Sequence, residues 1–216
     1  MLCDYDGTVT LEDTGIAAMQ ELAPAEGMQI ERAWQRGEIS SKECLRREFG
    51  LLNLTEDEFK EWVLTKPVDP GFKSFVLRCR SESVQVAIIS DGLDIYIQWT
   101  LDKLGLDDIS FAANHGWFEG RRLHVEFPWA CADCDTCANC KRNHLLQYRE
   151  RFERIVYIGD GRSDYCPAVH ADILIAKGSL ARYCMEQGLE FAEFASFEDV
   201  VTILEREGIL SRNGGV

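Results

Sequence analysis

Positive charge is scarce in this chain: 23 lysines and arginines stand against 37 aspartates and glutamates, a formal net charge of −14. A molecule of that sign repels polyanions and anionic bilayers, so no nucleic-acid partner and no membrane surface is expected. A small anion can still bind where local cations or a metal offset the field. No apolar run approaches the ~20 residues of a membrane span. No charged segment leading into an apolar stretch precedes the first strand-like run, so no secretory signal is read. Internal repeats and low-complexity tracts are absent too. The four histidines, His115, His124, His144 and His170, share no metal-ligand spacing, and surface or core roles are expected of them.

What the chain does have is apolar mass. Hydrophobic residues make up 46% of its 216 positions, enough for one full core or for a core with a small accessory domain. Nine cysteines without a signal point to a reducing, cytoplasmic setting, with thiols serving as ligands or as small core residues. A monomer or dimer is expected.

Short β-branched runs, "VQVAIIS" (84–90), "RIVYIG" (154–159) and "DILIA" (172–176), read as strands buried on both faces of a parallel sheet. Helical patterns lie between them at 92–105, 141–152 and 178–188. The alternation predicts an α/β fold, an open, doubly wound, mostly parallel sheet. Residues 109–127 read as strands around a glycine-containing turn. Residues 13–66 carry Met, Leu, Trp and Phe at helical spacing, until the two prolines and the glycine of "TKPVDPG" (65–71) break the pattern. A small all-helical domain over 13–69 is expected after the first strand, with hinges near 11–14 and 67–71. The α/β core then comprises 1–12 and 70–216.

Three candidate strands end in acidic or small residues: the first in "DYDGT" (4–8), the second in "SDG" (90–92), the third in "GDGRSD" (159–164). Ligands of open α/β sheets bind outside the carboxyl ends of the strands. If these strands are neighbours, Asp4, Asp6, Asp160 and Asp164 converge, and their repulsion calls for a cation. Oxygen-only donors favour Mg²⁺. Side chains two apart on an extended strand face the same way, so Asp4 and Asp6 reach one substrate. One can attack phosphorus while the other handles the proton. Gly7 lets the backbone approach a phosphate, whose oxygens the neighbouring N–H groups can hold.

Taken together, "DYDGTVT", "IISDG", Lys141 and "IGDGRSD" resemble the four motifs of haloacid dehalogenase-type phosphatases. The tail is similar to their phosphoserine-phosphatase-like branch and, more narrowly, resembles the methionine-salvage enol-phosphate phosphatase and its phosphocholine/phosphoethanolamine phosphatase relatives. The resemblance implies a Rossmann-like core with a helical cap at 13–69. It implies a Mg²⁺-dependent phosphomonoesterase acting on a small phosphate ester through an aspartyl-phosphate. Asp4 would be nucleophile and metal ligand. Asp6 would be general acid/base, its carbonyl on the metal. Ser90 and Lys141 would grip the phosphoryl group, with Gly7, Thr8, Asp91 and Gly92 around it, and Asp160 and Asp164 would serve the metal site. Specificity would lie in the cap, for which Glu12, Trp34, Arg36, Arg46 and Arg47 are the candidates.

"CADCDTCANCK" (131–141) places Cys131, Cys134, Cys137 and Cys140 at every third residue, ending at Lys141. Such pairs commonly bind tetrahedral zinc. Packed thiols, Zn²⁺, a disulfide and a cluster all remain open from spacing alone. Two other activities share these residues: phosphotransfer or phosphomutation on the same scaffold, and metal binding or redox sensing by the cysteine loop with vestigial catalysis.

Overall fold

The computed structural model describes residues 1–132 and 137–212. From β1 (Leu2–Cys3) the chain enters four helices, α1 (Thr14–Leu22), α2 (Pro24–Gln35), α3 (Ser41–Gly50) and α4 (Glu56–Val63), and returns through α5 (Phe72–Ser81) to β2 (Ala87–Leu93). Next come α6 (Asp94–Leu104), β3 (Ser110–Glu119), β4 (Arg122–Glu126), α7 (Lys141–Arg149) and β5 (Val156–Gly159). A 3-10 turn (Arg162–Asp164), α8 (Tyr165–Ala168), β6 (Ile173–Ala176), α9 (Gly178–Gln187), β7 (Ala192–Glu193) and α10 (Phe197–Arg206) complete it. Among the described residues no helix is long and apolar enough to cross a membrane.

The strands form one sheet in the order β4-β3-β2-β1-β5-β6-β7. Every pairing is parallel except β3 with β4, a hairpin at one edge. The chain steps outward from β1 through β2 and β3, then returns to the other side of β1 as β5. That reversal opens a crevice above the carboxyl ends of β1, β2 and β5, where open α/β sheets bind ligands.

Alternation along the strands divides the core into two layers. Leu2, Ala87, Ile89 and Tyr157 pack on one face, with Leu145 and Leu180. Cys3, Ile88, Val156 and Ile158 pack on the other, with Phe75, Ile97 and Val200. Both faces are covered by helices, which is why these strands read as continuous apolar runs. Truncating fully buried Ile88 or Ile158 to alanine costs about 2–5 kcal/mol. β2 extends beyond its apolar run to Leu93, resuming its pairing with β3 at Leu93–Asn114 after an irregularity.

The helical segment between β1 and α5 hangs from a two-stranded neck. Thr10 pairs with Val68, the Leu11 N–H donates to Pro67 O (2.9 Å), and the Asp69 N–H donates to Val9 O (2.9 Å). Local signals start its helices. Asp13 caps α1 by accepting from the Ile16 N–H (2.8 Å), Ser40 caps α3, and Thr55 with Glu58 forms a capping box on α4. Met19, Phe49, Phe59 and Val63 join the apolar layer beneath. Phe59 meets Trp99 of α6 and Phe118 of β3 at ring-centroid distances of 6.2 and 5.9 Å.

Candidate active site

Three strand ends bring the acidic motifs together. A cavity of ≈ 140 Å³ lies between them and helices α1–α3, and Asp4, Asp6, Ser90, Lys141 and Asp160 all line it. Asp4 follows β1 directly. Its Oδ1 accepts from the Tyr5 N–H at 2.7 Å and lies 2.7 Å from Lys141 Nζ. Lys141 opens α7 and is 2% exposed; its ammonium also donates to Asp164 Oδ1 (2.8 Å). Burial opposes the charge on Lys141, but Asp164 and Asp4 outweigh it and hold the lysine protonated, above its ordinary range. Burial, then the Asp164 charge, pushes Asp4 well above the usual carboxylate range, with Lys141 opposing.

Asp6 sits beside this pair with different partners. Its Oδ1 accepts from the Thr14 N–H (3.0 Å) and its Oδ2 from the Tyr96 hydroxyl (2.9 Å), with Ser90 Oγ at 3.5 Å. Burial, followed by the Asp13 charge, raises Asp6 to about 6, which suits a group that must both give and take a proton near neutrality. Gly7 has φ +70, and a Cβ there would stand 2.5 Å from Asp160 Oδ2, so only glycine fits this approach. Thr8 Oγ1 donates to Asp160 Oδ1 (2.7 Å). Ser90 Oγ accepts from the Gly92 N–H (2.9 Å), and Asp91 Oδ1 accepts from the Asn139 N–H (2.8 Å).

Oxygens of Asp4, Asp160 and Asp164 lie within 4.8 Å of one another. Burial, then the Asp164 charge, raises Asp160 to about 6. Hard oxygen donors crowded and short of positive charge fit a magnesium ion. Asp164 is the least available of the three. Its Oδ1 accepts from Lys141 and the Tyr157 hydroxyl (2.7 Å), and its Oδ2 from the Asp160 and Gly161 N–H groups (both 3.0 Å). Those contacts make it the post that holds Lys141 and the 160–161 turn in place.

Of the five cap candidates, Trp34 lines the cavity. The other four are placed elsewhere, which corrects the expectation. Arg36 pairs with Glu38 in solvent (2.6 Å). Arg46 and Arg47 lie 3.6 and 4.0 Å from Glu43, Arg46 also stacking over Phe127, and Glu12 faces Lys66 at 3.7 Å. Asp13, Glu31 and Glu48 line the cavity instead. The sequence does carry a signal for Glu48: with Ser41 and Cys44 it continues the 3- and 4-residue spacing of the buried face of α3. Asn139 was also unforeseen. Its Nδ2 donates to Ser90 O (2.8 Å) and Ala112 O (3.1 Å), and its Oδ1 meets His144 Nε2 at 2.7 Å. It ties the segment entering Lys141 to β2 and β3. In the cysteine stretch, Cys131 and Cys137 are half-buried and Cys140 is buried; Cys134, on which the four-thiol zinc expectation depends, lies outside the described residues.

The family profile for haloacid dehalogenase-like hydrolases matches residues 1–168. The chain belongs to that family. Among haloacid dehalogenase-like hydrolases it is kin to phosphatases. It is 32% identical over 210 residues to 2-hydroxy-3-keto-5-methylthiopentenyl-1-phosphate phosphatase of Brevibacillus brevis, covering 95% of each chain. It is 31% identical over 212 residues to the enzyme of that name from Bacillus velezensis, covering 96% of this chain and 90% of that one. Its fold matches a phospho-aspartyl intermediate analogue of phosphoserine phosphatase with a TM-score of 0.70, at 18% identity over 94% of this chain and 96% of the other. A haloacid dehalogenase family hydrolase of Salmonella enterica matches with a TM-score of 0.77, at 20% identity over 99% of this chain and 71% of that one.

Proposed function

We propose that this phosphatase is a Mg²⁺-dependent phosphomonoesterase of small metabolites, working through an aspartyl-phosphate on Asp4, with the helical segment 13–69 as a cap over the site. The observation that carries the reading is the placement of Lys141, whose Nζ lies within 2.8 Å of both Asp4 and Asp164, with Asp6 two residues beyond Asp4. Asp4 and Asp160 would hold the ion, with the Asp6 carbonyl, and Asp164 braces the turn behind them. When bound, magnesium supplies positive charge to the phosphoryl oxygens and to the crowded carboxylates.

Asp4 Oδ attacks phosphorus as the ester oxygen departs, and Asp6 gives that oxygen its proton. The leaving alcohol exits, and Asp6, now ionised, takes a proton from the water that cleaves the acyl phosphate. Lys141 and Ser90 hold the equatorial oxygens, where charge spreads in phosphoryl transfer. The cap excludes bulk water while the acyl phosphate stands and limits the site to small esters. The enol-phosphate ester that names its relatives is a small phosphate monoester of this kind.

Phosphate release from an aryl phosphate, assayed with Mg²⁺ and after EDTA treatment, tests the reading together with acid-quench trapping of a hydroxylamine-sensitive phosphoenzyme. Full activity after exhaustive metal removal, or a phosphoenzyme that still forms in Asp4→Asn, would overturn it. Release of phosphate into water rather than transfer to an added alcohol separates hydrolysis from phosphotransfer.

A further inference from the structure

The cavity is closed on most sides and has a narrow mouth. Asp4, Ser90 and Lys141 on the core side are buried, and so are Glu48 and Phe49 on the side of the helical segment. Among the described residues that line it, Asp13 and Arg162 are the exposed ones. The mouth therefore lies between the start of α1 and the 3-10 turn. At ≈ 140 Å³ the enclosed space falls well short of the ~300–1,000 Å³ of a pocket for a drug-sized ligand. A phosphate monoester with a short leaving group fits inside it, and a longer one must pass the mouth.

Arg162 stands across that passage. It belongs to the turn between Asp160 and Asp164, and its side chain reaches from the core to the helical segment. Nη1 donates to Gln35 O, at the last residue of α2 (3.2 Å), and the guanidinium lies over the Trp34 ring at 5.6 Å. A helix end leaves its last carbonyls without intrahelical partners, and cations are favoured there. Trp34 is itself held, because its Nε1–H donates to Ser41 Oγ at 2.9 Å. On the flank toward β3 and α6 the helical segment rests on apolar packing, with Phe59 against Trp99 and Phe118, and Arg121 donates to Asn53 O (2.8 Å). The Arg162 contacts are an exposed hydrogen bond and a cation–π pair, each weak in water, so this flank yields before the other.

We propose that Arg162, lying over Trp34, sets the upper length of the leaving group. The proposal rests on the phosphomonoesterase reading and deepens it by naming a specificity-determining residue. A leaving group that ends inside the cavity leaves the Arg162–Trp34 contact intact. One that extends further must part the two side chains, and it forfeits what that contact and the bond to Gln35 O contribute. The selecting side chain then belongs to the turn that carries Asp160, so the core itself measures the substrate, and the helical segment supplies the ring it closes on.

The test compares ethyl phosphate, which ends within the cavity, with octyl phosphate, which reaches past the mouth. The ratio of their kcat/KM values, octyl over ethyl, should rise at least about tenfold in Arg162→Ala and in Trp34→Leu. The double variant should gain no more than the better single one, because both remove the same barrier. Arg36→Ala removes an exposed arginine that follows α2 and pairs with Glu38, and it should keep the wild-type ratio. Calorimetric binding of both esters to Asp4→Asn, with and without Arg162→Ala, reads the same preference without turnover. A tenfold shift toward the octyl ester there supports the inference even if no ester is hydrolysed, a result that would sink the phosphatase reading alone. An unchanged ratio in either single variant, a loss of activity equal for the two esters, or a shift as large in Arg36→Ala overturns the inference and leaves the phosphatase reading standing.

Discussion

Tyr96 on α6 donates its hydroxyl to Asp6 Oδ2 at 2.9 Å, while the Thr14 N–H, at the first residue of α1, holds the other carboxylate oxygen at 3.0 Å. Asp6 is thus clamped between α6 of the core and α1 of the helical segment, and its orientation depends on both. Tyr96→Phe removes one clamp and leaves the carboxylate, so kcat should fall by about tenfold, against about 10²–10⁴ for Asp6→Asn, which loses the proton carrier itself. Steady-state kinetics on one aryl phosphate ranks the two; equal losses would show that the hydroxyl participates in the chemistry directly.

Gly7→Ala sets a methyl against the Asp160 carboxylate and asks a non-glycine residue to hold φ +70. The strain of roughly 1–2 kcal/mol falls on the turn that carries Asp6 and Thr8. The variant should keep its fold by circular dichroism, lose about 1–2 kcal/mol in chemical denaturation, and lose at least about tenfold in kcat.

Asn139→Ala unties the segment that leads into Lys141. The carbonyls of Ser90 and Ala112 lose their donor, and His144 loses its partner, at an expected cost of about 1–3 kcal/mol. Lys141 then loses precision, so kcat should drop while KM changes little. A variant with wild-type kcat and a lowered Tm would show the tie to be purely structural.

Glu48 titrates at about 8, raised first by burial and then by the Glu31 charge. Its folded form binds a proton more tightly than an unfolded glutamate, whose ordinary value is 4.5. The stability it contributes is therefore complete below about 4.5 and is lost as pH rises through 8. Glu48→Gln cannot ionise. It should be more stable than wild type at pH 8, by about 1–3 kcal/mol, with a smaller difference at pH 5. Urea denaturation of both proteins at the two pH values reads this; an equal difference at both would refute it.

The convergence of the acidic motifs was legible because each is written beside a strand-forming run. Asp4, Asp6, Ser90 and Asp160 each stand at the end of an apolar stretch, and a parallel sheet with β1 between β2 and β5 brings those ends together. The acidic wall contributed by the helical segment was not legible in the same way. Of the adjacent acids Glu12 and Asp13, the one that turns inward is decided by helix capping, since Asp13 binds the Ile16 N–H while Glu12 is drawn toward Lys66. Glu31 and Glu48 follow the buried residues of their helices, yet a glutamate on a charged helix reads as solvent-facing until the neighbouring helix is in place. Arginine looked like the residue a cap would use, but Arg36, Arg46 and Arg47 are held outward by Glu38 and Glu43. Asn139 was hidden by the cysteines around it.

β1 consists of two residues, Leu2 and Cys3, paired with Ala87 and Ile88 on one side and with Tyr157 and Ile158 on the other. So short a strand has almost no stability of its own and is held by segments distant in the chain. Asp4 is therefore translated long before it can be placed. A nascent chain stopped short of β5 has made Asp4 but leaves one edge of β1 open and lacks Asp160 and Asp164. Catalytic competence should consequently appear late and abruptly during synthesis, once β5 has closed the second edge of β1.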